Sequence, residues 1–115
     1  MDNFIEKNAS IREFLNQYQA NRSTYTKHAV GLCRFFSWLK VEKHIDISPT
    51  QFLNMHIQKR NIDDVDERRW ALKLALEYSR DNPDLADQAT SYKYTSFYLP
   101  IKMFCDYNEA PLTST

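Results

Sequence analysis

One glycine occurs in the whole 115-residue chain, Gly31. A single glycine cannot build a glycine-rich phosphate loop. The four prolines add few further turns, while Leu, Lys, Arg, Glu, Gln and Ala are plentiful. Such a chain reads as helices joined by short polar loops. Gly31 itself falls in the middle of an apolar helical pattern, where glycine costs about 1 kcal/mol relative to alanine. Its presence there predicts the close approach of a crossing helix.

Helical periodicity follows on both sides of that glycine. Residues 1–8 read as a flexible polar arm carrying Phe4 and Ile5. "SIREFLNQYQ" then opens with Ser10 and Glu13 as a capping box, and Ile11, Phe14, Leu15 and Tyr18 mark one apolar face. This predicts a helix over residues 10–19. A second helix is expected from Asn21 to Lys43, capped by Ser23 or Thr24. Tyr25, Ala29, Leu32, Phe36 and Leu39 form one stripe, and Phe35 and Trp38 lie with Gly31 on another face. A helix apolar on two sides belongs at the centre of its domain.

The strongest local signal is "ISPTQFLNMHI", with Ser48 as N-cap, Pro49 at the first helical position and Gln51 closing a capping box. The helix it starts is expected to reach Arg60 and to bury Phe52, Leu53 and Ile57. Asp63 or Asp64 starts a fourth helix that is buried in its second half and ends at Asn82-Pro83. Asp84–Gln88 reads as a short turn. The last helix shows Tyr94, Phe97, Tyr98, Ile101, Phe104 and Cys105 on a helical period, interrupted by Pro100. Either the helix is kinked at the proline, or it begins only near Tyr98.

Composition bounds the rest. Hydrophobic residues make up 43% of the chain, enough for a core and against wholesale disorder. Length fits one domain. Formal charge is zero, but it is unevenly placed. From Arg22 to His44 five bases face Glu42 alone, whereas from Asp63 to Asp87 eight acids face four bases. If the fold keeps these stretches apart, the molecule has one basic and one acidic end. Cys33 and Cys105 have no zinc or disulfide spacing and read as buried, reduced thiols, which predicts a cytoplasmic setting. No run is apolar enough to span a bilayer.

No catalytic constellation emerges, and no cofactor or metal is expected. His56 beside Lys59 and Arg60 reads as a surface histidine near a helix end. Asp63, Asp64 and Asp66 read as ordinary acids of a first helical turn. Two clusters stand out instead, both at helix starts: "NRSTYTKH" and "TSYKYTS". Exposed N–H groups at a helix start, with Ser, Thr, Tyr and Lys beside them, are donors suited to phosphate.

Three stretches carry a resemblance. "STYTKHAVGLCRFFSWL" is similar to the second helix of the N-terminal core-binding domain of tyrosine recombinases, the phage integrase and Xer-like family, through Ser23, Thr24, Tyr25, Leu32, Phe35, Phe36 and Leu39. "ISPTQFLNMHI" resembles that domain's following helix. "SYKYTSFYLPIKMFCDYNEAPL" resembles its last, through Ser91, Lys93, Thr95, Ile101, Phe104, Asn108, Pro111 and Leu112. The resemblance covers residues 8–112 and implies an all-α, SAM-like bundle of four to five helices over residues 9–108, with 109–115 as a linker toward a catalytic domain. It further implies a DNA-binding module that is not an enzyme by itself. Its partners would be double-stranded DNA, the C-terminal catalytic domain of the same parent chain and other recombinase protomers, with no membrane. Arg22, Thr24, Tyr25, Lys27, His28, Lys59, Ser91, Lys93, Tyr94 and Thr95 would face the DNA. Two other readings compete: a helical protein-interaction domain, and a small helical enzyme, which would need a pocket with perturbed ionisable groups.

Overall fold

The computed structural model describes residues 1–113, and every regular element among them is helical. The elements are α1 (Asp2–Lys7), α2 (Ala9–Asn16), α3 (Arg22–Val41), α4 (Pro49–Lys59), α5 (Val65–Arg68), α6 (Trp70–Leu76), α7 (Thr90–Tyr92) and α8 (Leu99–Tyr107). A π turn, Glu77–Asp81, extends α6, and a second, Lys93–Tyr98, joins α7 to α8. Pro83–Leu85 forms a single 3-10 turn, and Asn82 caps it by accepting from the Asp84 N–H. The all-α bundle expected from the sequence is the fold observed.

Local side-chain chemistry explains the starts of α3, α4 and α5. Ser48 Oγ accepts from the Gln51 N–H at 3.1 Å, and Gln51 Oε1 accepts from the Ser48 N–H at 2.8 Å, so both halves of the expected capping box form. Asn21, not Ser23 or Thr24, caps α3: its Oδ1 accepts from the Thr24 N–H and from Ser23 Oγ. Asparagine ranks among the best N-caps, so the helix begins ahead of the two hydroxyl residues. The box expected at Ser10 and Glu13 does not form. The segment expected as an arm carries α1, which hands the chain directly to α2 at Asn8, and Ser10 lies inside the helix, accepting from Thr50 Oγ1 instead.

Buried aromatic rings join the helices into one core. Phe35 of α3 is wholly buried and contacts Phe36, Trp38, Phe52 of α4 and Tyr78 of the first π turn. Phe14 of α2 performs the same role at the other end of α3, against His28 and Phe104. In α4 the inward face is Pro49, Phe52, Leu53 and His56, while Ile57 is 42% exposed. The expectation for Ile57 was therefore wrong. A stripe through Phe52 and Leu53 at helical period passes through position 56, not 57.

Of the two alternatives, the late start is excluded. The last helix runs from Thr90 to Tyr107 with Pro100 inside it. Proline has no N–H to give the carbonyl four residues back and crowds that turn. Here the wider π turn directly precedes it. The Pro100 ring then lies against Gly31. A Cβ at position 31 would sit 2.6 Å from Pro100 Cγ, 2.9 Å from its Cβ and 3.3 Å from the Ser96 carbonyl oxygen. The lone glycine and the mid-helix proline thus belong to one crossing.

Candidate nucleic-acid interface

The direction of that crossing decides where the two polar clusters sit. Phe14 bridges His28 to Phe104, Gly31 meets Pro100, and Tyr78 bridges Phe35 to Phe97. Advancing along α3 retreats along the last helix, so the pair is antiparallel. Ser91–Thr95 therefore lies level with the Arg34–Trp38 half of α3, not with Arg22–Lys27. At 1.5 Å per residue the clusters are separated by roughly 10–15 Å along α3.

The α3 cluster is itself divided. Positions five residues apart on a helix point about 140° from each other, so Arg22 and Lys27 lie on different faces. The Arg22 guanidinium stacks 4.6 Å above the Tyr25 ring, and Tyr25 packs on the core. Lys27 instead shares its face with Arg34, seven residues on. Arg34 is exposed and, like Tyr92, lies within electrostatic reach of the Tyr78 hydroxyl. Sequence reasoning missed Arg34 because it falls in an apolar run, yet its seven-residue spacing from Lys27 was a usable signal.

Three candidates lose their place or much of their freedom. His28 is 3% exposed, packed between Phe14 and Tyr18, so it faces the core rather than solvent. Lys59 pairs with Glu67 at 2.6 Å and sits over the Trp70 ring, so its charge is already engaged. Thr95 donates its hydroxyl to the Ser91 carbonyl within the helix. Ser91 and Tyr94 are exposed and Lys93 is half-buried, with Tyr94 stacked on Tyr98.

What remains is a face of α3 bearing Ser23, Lys27, Arg34 and Ser37, with Lys93 beyond it. Between Asn21 and Val41 the chain has no carboxylate. Among the described residues Lys27, Arg34 and Lys93 make no ion pair. The face ends past Trp38, where Glu42, Glu77, Asp81 and Asp84 line a concavity of about 290 Å³ and Lys43 neutralises Glu77. Carboxylates there would repel a polyanion, which bounds the basic face to the Lys27–Arg34 half.

Both buried histidines were expected elsewhere. His56, read as a surface residue, is 1% exposed. Its Nε2–H donates to the Ala110 and Pro111 carbonyls at 2.9 and 3.1 Å, tying the tail to α4. Ala110 and Leu112 of the expected linker are thereby buried, while Ser114 and Thr115 lie outside the described residues. Burial, the largest cause, lowers the pKa of both histidines. Lys27 adds to it at His28 and Arg60 at His56, where the carbonyl bonds partly oppose it. The buried Nδ1 of each ring has no hydrogen-bond partner among the described residues.

A folded pKa below the ordinary 6.5 means the unfolded chain binds the proton more readily. Stability is then full above about pH 6.5 and falls as pH drops through the folded pKa, with a slope of at most about 1.4 kcal/mol per pH unit for each ring. Urea midpoints measured from pH 7.5 to 5 should decline below 6.5, and less steeply in His56→Gln. A flat profile would contradict the burial of both rings.

Burial pushes the Cys105 thiol up to about 12, which leaves it inert, and Cys33 is only partly buried. Among the described residues no group of three or more His, Cys, Asp or Glu could hold a metal ion, and no helix is long and apolar enough to cross a membrane. No protein-family model matches the chain, and no match is found among curated proteins or solved structures.

Proposed function

We propose that this domain binds duplex DNA through the phosphate backbone, using the Lys27–Arg34 face of α3 and Lys93 at the start of the last helix. The observation that carries the reading is a run of twenty helical residues without a carboxylate, whose exposed face presents hydroxyls and two bases that make no ion pair. Lysine and arginine on phosphate release counterions, which favours binding and makes it salt-sensitive. Hydroxyls such as Ser23 and Ser37 add donors to the same phosphates. The chain's zero net charge is compatible with this, because Asp66 and Glu67 are engaged at another corner by Lys73 and Lys59.

The resemblance to core-binding domains of tyrosine recombinases gives the reading its context. In that context the domain is one half of a clamp, closed by a catalytic domain of the same parent chain, and it performs no chemistry itself. Contacts of this kind alone give affinities of about 10⁻⁴–10⁻⁶ M with little sequence preference.

The test is an amide chemical-shift titration with a generic duplex at low and high salt. Shifts should gather at residues 23–27, 34 and 91–95 and fade as salt rises. Lys27→Ala and Arg34→Ala should each weaken binding alike on unrelated duplexes and reduce the slope of log K against log salt by about 0.9. No shifts at high micromolar duplex, or a slope that both substitutions leave unchanged, would overturn the reading.

A further inference from the structure

Two acids of the acidic stretch, Asp66 and Glu67, are neutralised where they stand. Asp64 caps α5 by accepting from the Asp66 and Glu67 N–H groups. Glu67 is held by Lys59, and Asp66 by Lys73 at 2.9 Å, which lowers the Asp66 pKa. The lysines of this corner are thereby engaged with the acids. Its arginines are not: Arg60, Arg68 and Arg69 make no ion pair among the described residues, although Arg69 lies within electrostatic reach of Asp66.

These three arginines rim a groove of about 500 Å³ between α4, α5, α6 and the tail. Its lining includes Ile57, Val65 and Leu112. Ile57 is 42% and Val65 50% exposed, so apolar side chains stand open beside three guanidinium groups. One wall is fixed in place, because His56 of α4 ties the carbonyls of Ala110 and Pro111. A wall already ordered loses little freedom when a ligand arrives.

We propose that this groove docks an acidic peptide segment of a partner protein, one that inserts a bulky apolar side chain between flanking carboxylates. The planar fork of arginine matches a carboxylate with two parallel hydrogen bonds. The open Ile57 and Val65 side chains offer contact that a phosphate backbone cannot use, whereas a leucine or phenylalanine fills it. The groove lies on the α4–α6 side of the bundle and shares no residue with the Lys27–Arg34 face, so the two sites are independent.

The probe is a fluorescein-labelled peptide with one leucine flanked on each side by two glutamates, followed by anisotropy. Saturable binding is expected. It should fall by about tenfold or more in Arg68→Ala and in Arg69→Ala, and should remain unchanged in Lys27→Ala. All three positions are exposed, so these variants should fold. The peptide with glutamines in place of glutamates, and the one with alanine in place of leucine, should each bind more weakly. The proposal is overturned by absence of saturation at high micromolar peptide, by equal binding of the glutamine analogue, or by indifference to both arginine substitutions. It is equally overturned if duplex DNA displaces the peptide and shifts the amides of Ile57 and Val65, since the groove would then serve nucleic acid.

Discussion

Truncating Phe35 to alanine is expected to destabilise the domain by about 3–5 kcal/mol, the range for removing a wholly buried phenylalanine. The ring has 0% exposure, and its centroid lies 5.2 Å from Phe36, 6.1 Å from Trp38, 5.5 Å from Phe52 and 5.4 Å from Tyr78. Three of these pairs meet edge to face, an arrangement worth about 0.5–1.5 kcal/mol beyond area burial. Alanine would leave a hole bounded by rings from three elements, and rings fixed by one another collapse poorly into a void. A domain of this size has about 5–15 kcal/mol in all, so much of its stability would be lost. Urea unfolding reads this as a lower midpoint at unchanged slope. A loss under 1 kcal/mol would show that the four rings close the gap and that Phe35 is not the hub. The consequence for binding is indirect. Arg34 is the neighbour of Phe35 in sequence, and its position depends on α3 being held by the rings beneath it.

How much of this was readable in the sequence depended on how local the cause was. The Ser48–Gln51 box needs four consecutive residues, and it formed as expected. The central helix declared itself by apolar residues on two faces. Gly31 announced a close crossing, though not its partner. The failures share a different cause. Ser10 satisfies the capping pattern, but a helix placed immediately before it takes the cap position away. Ile57 is more apolar than His56, yet the register set by Phe52 and Leu53 turns the histidine inward, where backbone carbonyls of the tail satisfy its Nε2–H. No rule reading one segment at a time could supply those carbonyls, which come from residues more than fifty positions away.

The candidate site shows the same division. Hydroxyls, tyrosines and bases at two helix starts were visible at once. Their mutual placement was not, because it follows from the antiparallel packing of α3 on the last helix. That packing separates the clusters, sends Arg22 and Lys27 to different faces, buries His28 and brings in Arg34. The charge pattern, too, was legible only in part. Glu67 and Asp66 are paired with lysines from α4 and α6 beside three arginines that line a groove, while Asp81 and Asp84 stay with Glu42 as a carboxylate cluster past the end of α3.

Gly31→Ala tests the crossing on which this placement rests. In an open helix the change would stabilise by about 1 kcal/mol, since alanine has the higher propensity. At this position the new methyl would meet Pro100 Cγ at 2.6 Å and Cβ at 2.9 Å, with the Ser96 carbonyl at 3.3 Å behind them. A proline ring has no rotamer to move away, and a backbone carbonyl cannot swing aside, so the helices must separate. Overpacking of this kind costs about 1–3 kcal/mol, and the net expectation is destabilisation. Pro100→Ala in the same chain removes the Cγ but leaves a Cβ. The double variant should therefore recover part of the loss, and the two changes should couple by about 0.5 kcal/mol or more in a double-mutant cycle. Moving the last helix away from α3 also shifts Lys93 relative to the Lys27–Arg34 face, so duplex affinity in the folded Gly31→Ala protein should fall although no DNA-facing side chain has changed. If Gly31→Ala raised the urea midpoint instead, the helices would not cross closely at this point, and the linkage of Lys27, Arg34 and Lys93 into one basic face would fail with it.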